Sequence, residues 1–145
     1  MRNMCQHCGL WARMKGCVTG LEKETAKNSD FRRVLYTGKH SQLVLMCLKP
    51  GEEIGEETHT DVDQFFRFET GEGKVVIDGV EHRVKGGSGV IVPAGAKHNV
   101  INASKRGNLK LYTIYSPPEH QDGVIRHTKQ QALANEEHFD GKTTE

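Results

Sequence analysis

Two short segments of this 145-residue chain carry residue types that bind and transform small molecules. The first reads Gly51-Glu-Glu-Ile-Gly-Glu-Glu57-Thr-His59-Thr-Asp-Val-Asp-Gln64, with Gly71 after a further six residues. The second reads Gly87-x5-Pro93-x-Gly95-x2-His98-x3-Asn102. Imidazole nitrogens and carboxylate oxygens are donors for divalent transition ions, and an ion so held polarises oxygens and activates water. Residues two apart in a strand project on one face, about 6–7 Å apart. Glu57 and His59 can therefore point the same way. Gln64 lies five residues beyond His59, an odd separation, so the chain must turn or bulge between them. The stretch Thr60-Asp-Val-Asp63 has the polar composition for that turn.

Together the segments resemble the paired motifs of the cupin superfamily, Gly-x5-His-x-His-x(3,4)-Glu-x6-Gly and Gly-x5-Pro-x-Gly-x2-His-x3-Asn. The second motif is matched at every defined position. The first is matched in spacing, with Glu57 in place of the first histidine and Gln64 in place of the glutamate. The resemblance implies an all-β fold, a double-stranded β-helix jelly-roll barrel with a pocket between its sheets. It also implies a metal set of Glu57, His59, Gln64 and His98 around one divalent transition ion, Fe, Mn, Ni, Cu or Zn. Two imidazoles and one carboxylate suit any of these, and Gln64 adds a weak, neutral amide oxygen. An octahedral ion would keep two positions open for water or a chelating substrate. Reading His59 and Asp61 as the paired ligands instead puts Phe65 or Phe66 at the third position and breaks the spacing to Gly51 and Gly71. The first register is preferred.

The elements that must position these residues are short β-runs. Residues 42–48 are almost wholly aliphatic and end in Lys49-Pro50-Gly51, a turn signal. Residues 74–84 read as a hairpin about Asp78-Gly79, which supplies the positive φ angles of a tight two-residue turn. Residues 90–93 and 109–115 are further strands, the last stopped by Pro117-Pro118. Phe66 and Phe68 share the parity of Gln64, so they face inward and are candidate substrate contacts. In the last strand one of Tyr112 and Tyr115 must enter the pocket; Tyr112 is a candidate substrate contact. Asp61, Asp63 and Tyr115 are candidate acid–base groups, by proximity alone. His40, His82 and His120 have no motif support and are expected at the surface.

The expected organisation is an extension over residues 1–13, an arm and first strand over 14–41, the barrel over 42–116 and a polar tail over 117–145. The arm and the tail should be short helices or irregular segments, with candidate helices in 20–33 and 128–137. Cys5-x2-Cys8 has the spacing of a zinc or redox pair, with Cys17 the nearest further thiol. Cys47 reads as a small core residue. A formal charge of +1 gives no bulk attraction to nucleic acid or membrane, and the apolar runs are too short to span a bilayer. The N-terminus has no secretion signal, so a cytoplasmic protein is expected. The 42–48 run is apolar on both faces and must be covered on both sides; from this we expect a homodimer that uses the N-terminal arm. The function expected is metal-dependent chemistry on a sugar or other small oxygenated metabolite, of isomerase, hydrolase or lyase type. The alternatives are a non-catalytic small-molecule-binding cupin and a cupin dioxygenase.

Overall fold

Apolar residues alternating with polar ones along 63–70 and 109–116 set the two longest strands, and the others follow from pairing with them. The computed structural model describes residues 13–145, so the Cys5/Cys8 pair and almost all of the 1–13 extension lie outside the described residues. A short helix α1 (Leu21–Lys27) precedes β1 (Arg32–Thr37) and β2 (Gln42–Leu48). Then come β3 (Glu57–Thr58), β4 (Asp63–Thr70), β5 (Glu72–Ile77), β6 (Val80–Lys85), β7 (Gly89–Val92), β8 (Lys97–Ile101) and β9 (Leu109–Ser116). The tail adds β10 (Ile125–Arg126) and α2 (Lys129–Ala134).

The strands form two antiparallel sheets, ordered β10-β1-β2-β9-β4-β7 and β3-β8-β5-β6. This is the jelly roll that the motifs implied. The expected hairpin is β5–β6, with Asp78 at φ 45° and Gly79 at φ 82°. The expected turn between His59 and Gln64 does more than reverse parity. It carries the chain from β3 in one sheet to β4 in the other, so the first motif spans the space between the sheets.

The core is that space. Val44, Met46 and Leu48 of β2, Phe66 and Phe68 of β4, and Leu109 and Leu111 of β9 face Val75 and Val100 across it. Burying each such side chain contributes about 1.5–3 kcal/mol. The terminal glycine of the first motif has a steric reason. Gly71 sits at φ 92°, where a Cβ would lie 2.4 Å from the Asn108 carbonyl oxygen, so only glycine lets the chain pass from β4 to β5 there. Asn102, which ends the second motif, is fully buried; its amide donates to the carbonyls of Leu48 and Gly107, at 3.0 and 2.9 Å.

The outer-facing residues of β2 overturn the argument for a dimer. Leu45 and Cys47 are 2% and 4% exposed within a single chain, while α1 packs on the outer face of the same sheet against β9 and β4. Cover for the second face is supplied intramolecularly. Cys47 is the small core residue expected. No helix among the described residues is long and apolar enough to cross a membrane.

Candidate metal centre

β3 and β8 pair antiparallel, with Glu57 directly opposite His98. A cross-strand pair is among the closest placements a sheet allows, so two residues 41 positions apart in sequence meet side by side. His59 follows two residues after Glu57, and its backbone carbonyl accepts from the Gly95 N–H at 2.8 Å, tying the first motif to the turn of the second. Glu57, His59 and His98 each bring one ligand atom within 4.8 Å of the others. Gln64 joins from the facing sheet, its Oε1 3.2 Å from His98 Nε2. All four residues singled out in the sequence converge.

The hydrogen bonds around these groups set their chemistry. His98 is 4% exposed, and its Nδ1–H donates to the Ala96 carbonyl at 3.0 Å. That bond leaves Nε2 with its lone pair directed inward. Gln64 Nε2 donates to Thr113 Oγ1 at 3.0 Å, which turns the amide oxygen toward the same point. An imidazole lone pair and an amide oxygen thus face one another, an arrangement that a cation or a proton satisfies. His59 Nε2 donates to Glu57 Oε2 at 3.1 Å. This bond, with the Glu57 charge, raises the imidazole above its ordinary value against the opposing effect of burial. Burial pushes the Glu57 carboxyl up, but the hydrogen bond and charge of His59 outweigh it and hold the group below the usual range. The donor set therefore fits a divalent transition ion, with a proton on His59 standing where an ion would bind.

Beside the cluster lies a cavity of about 160 Å³, walled by Arg32 of β1, Glu57 of β3 and His59 just after it, Glu119 and His120 of the tail, and residues of α2 and just beyond it. Gln42 at the start of β2 holds the tail in place. Its Oε1 accepts from the N–H groups of Glu119 and His120, at 3.2 and 3.0 Å, while its Nε2 donates to the His120 carbonyl at 2.7 Å. Thr128 caps α2 by accepting from the Gln131 N–H, and Arg126 of β10 donates to Glu137 at 3.0 Å.

Sequence reasoning placed His120 at the surface; it is 7% exposed. Its ring stands edge-on to Tyr115, with Nε2 3.3 Å from the Tyr115 hydroxyl and Nδ1 3.2 Å from Glu137 Oε1. Desolvation lowers the pKa of this imidazole despite the nearby carboxylate. His40 and His82 are exposed, as expected. The inward tyrosine is Tyr115, 6.0 Å ring to ring from His59, and burial drives its pKa far up, so it stays a phenol. Tyr112 lies on the outer face against Phe65, away from the cluster. Phe66 stands against the His98 ring at 6.1 Å, whereas Phe68 stacks behind Phe66 in the core. Asp61 is exposed at the turn, and Asp63 accepts from the Ala94 N–H at 2.8 Å; neither lines the cavity. Arg32, Glu119 and Glu137 were not anticipated. The one available signal was a histidine and a glutamate directly after the strand that carries Tyr115.

A two-sheet jelly roll with a His/Glu cluster between its sheets is the architecture of a cupin. The chain belongs to that family: the cupin domain model matches residues 44–115. It is 43% identical over 129 residues to the uncharacterized protein YrkC of Bacillus subtilis (strain 168), covering 85% of this chain and 69% of that one. It is 45% identical over 112 residues to the uncharacterized protein L612 of Acanthamoeba polyphaga mimivirus, covering 74% of this chain and 69% of the viral protein. Among solved structures, BH2720 from Bacillus halodurans superposes with a TM-score of 0.81 at 40% identity, over 83% of this chain and 96% of that one.

Proposed function

We propose that this cupin binds one divalent transition ion through Glu57, His59 and His98, with Gln64 as a fourth, weak ligand, and acts on a small oxygenated metabolite in the adjoining cavity. The observation that carries the reading is the convergence of three ligand atoms within 4.8 Å of one another beside that cavity. When bound, the ion would supply Lewis-acid polarisation of a substrate oxygen. The chain itself supplies the rest. Thr113 and the Ala96 carbonyl orient Gln64 and His98. Tyr115 supports the His59 ring, and α2 with the segment after it shields the cavity from water. Glu119, not Asp61 or Asp63, is the carboxylate placed to accept a substrate proton. It lines the cavity with its Oε1 3.7 Å from His59 Nδ1. A positioned carboxylate beside polarised oxygens supports isomerase- or lyase-type chemistry over simple storage.

The test is elemental analysis of freshly purified protein, followed by turnover assays with sugars and small hydroxy and oxo acids. Wild type should carry close to one transition ion per chain, and His59→Ala and His98→Ala should lose it. Glu119→Gln should keep the ion and lose turnover by about 100-fold or more. Equal metal content in wild type and both histidine variants would sink the reading.

A further inference from the structure

One wall of the cavity carries a cation that the metal reading leaves unused. Arg32 enters from β1 on the inward face, and the residue is 9% exposed. Its Nε is buried without any hydrogen-bond partner. Its nearest carboxylate oxygen, Glu137 Oε1, is 3.9 Å from NH1, beyond hydrogen-bond reach. Glu137 has little need of it. One oxygen already accepts from His120 at 3.2 Å and the other from Arg126 at 3.0 Å. Arg126 spends its own NH2 on Glu137 and on the Asn135 carbonyl. Arg32 therefore holds a fork of donors in a nearly dry place, over the Phe31 ring, with Nε unpartnered and Glu137 no closer than 3.9 Å.

A buried guanidinium whose Nε has no acceptor is costly, and the group that best relieves it is a carboxylate bound in two parallel hydrogen bonds. The cavity that Arg32 lines is the same one that Glu57 and His59 line. At about 160 Å³ it is smaller than the roughly 300–1,000 Å³ of sites for drug-sized ligands, so its occupant has few heavy atoms. Lys129 of α2 adds a second cation to a wall that also carries Glu57, Glu119, Glu136 and Glu137, so the place for a negative charge is the Arg32 end.

We propose that Arg32 is the anion-binding residue of this cavity, and that the molecule taken is a small carboxylate of the 2-hydroxy- or 2-oxo-acid class. Its carboxylate sits on the Arg32 fork and its neighbouring oxygen turns toward the Glu57–His59–His98 cluster. The second half rests on the metal reading above; the Arg32 half stands on the guanidinium alone.

Glycolate and pyruvate, with uncharged glycolamide as the control, are titrated calorimetrically into protein with and without manganese, and metal content is measured on the same samples. Wild type should bind both acids more tightly than glycolamide. Arg32→Met should weaken the acids by at least about 30-fold, leaving glycolamide binding and metal content unchanged. Arg32→Lys keeps the charge and the buried stem but not the fork; it should fall between the two, and it serves if methionine unfolds the chain. Acid binding that depends on Arg32 in protein that takes up no metal would uphold the anion site while the metal reading fails. Acids bound equally by wild type and variants, or no tighter than glycolamide, would overturn the proposal whatever the metal content.

Discussion

At the scale of single residues, the candidate centre would depend as much on the groups that aim its side chains as on those side chains. Gln64 presents its oxygen to His98 while its Nε2 donates to the Thr113 hydroxyl, which holds the side chain in place. Thr113 is fully buried, so no water stands ready to replace it. Thr113→Val keeps the shape and removes that acceptor. We expect the apparent ion affinity to fall by about 10–100-fold, the usual cost of losing an outer-shell partner. Competition with a chelator of known affinity measures it. An unchanged affinity would mean that Gln64 takes no part in binding. The exchange of Glu for Gln at this position, with Glu at the first histidine position, keeps one negative charge in the set but moves it to the β3–β8 edge.

At the scale of elements, the tail over residues 117–145 is part of the site. It adds β10 to the edge of one sheet, lays α2 along the cavity and buries the Tyr115–His120–Glu137 chain of hydrogen bonds beneath it. Its attachment should depend on pH. Burial keeps His120 neutral, with its pKa lowered in the native state, while an unfolded histidine protonates near pH 6.5. Stability from this group is therefore full above about pH 6.5 and falls as the unfolded chain takes up a proton that the native one refuses. Glu137 has the same sign lower on the scale. Burial raises its carboxyl, but His120, Arg126 and Arg32 outweigh that and hold it down, so its contribution is lost as pH falls through the native value. His59 opposes both, since its raised pKa contributes below the ordinary histidine value and is lost as pH rises through the native one. Limited proteolysis of the tail should be faster at about pH 5.5 than at about pH 7.5. In His120→Gln most of that difference should vanish. Equal cleavage of wild type at both values would show that the tail does not sense this histidine.

At the scale of the whole molecule, binding of the proposed ion would be linked to folding, because its candidate ligands come from both sheets. β3 supplies Glu57, the turn after it His59 and β8 His98, while β4 of the facing sheet supplies Gln64. An unfolded chain cannot bring them together, so an ion held there would bind the native state and stabilise it by mass action. At a free concentration of about 100 times the dissociation constant the gain is about 2.7 kcal/mol. For a chain of this size that raises the melting temperature by roughly 9 °C. Thermal melts with manganese, nickel or zinc, repeated with His98→Ala, check it. A shift equal in wild type and variant would place the ion elsewhere.

What the sequence determined was local and periodic. Motif spacing named four residues that converge, parity placed Phe66 and Phe68 inward, and Asp78-Gly79 marked a turn whose φ angles few other pairs adopt. These signals travel within a few residues, which is the reach of strand alternation and turn chemistry. Tertiary structure decided what depends on contacts far apart in the chain. It selected Tyr115 over Tyr112 and covered the outer face of β2 from within the chain. It also folded a polar tail back so that Gln42 could hold Glu119 and His120 against Arg32. Nothing periodic marks those residues, because their positions follow from how the sheets close and where the tail crosses them.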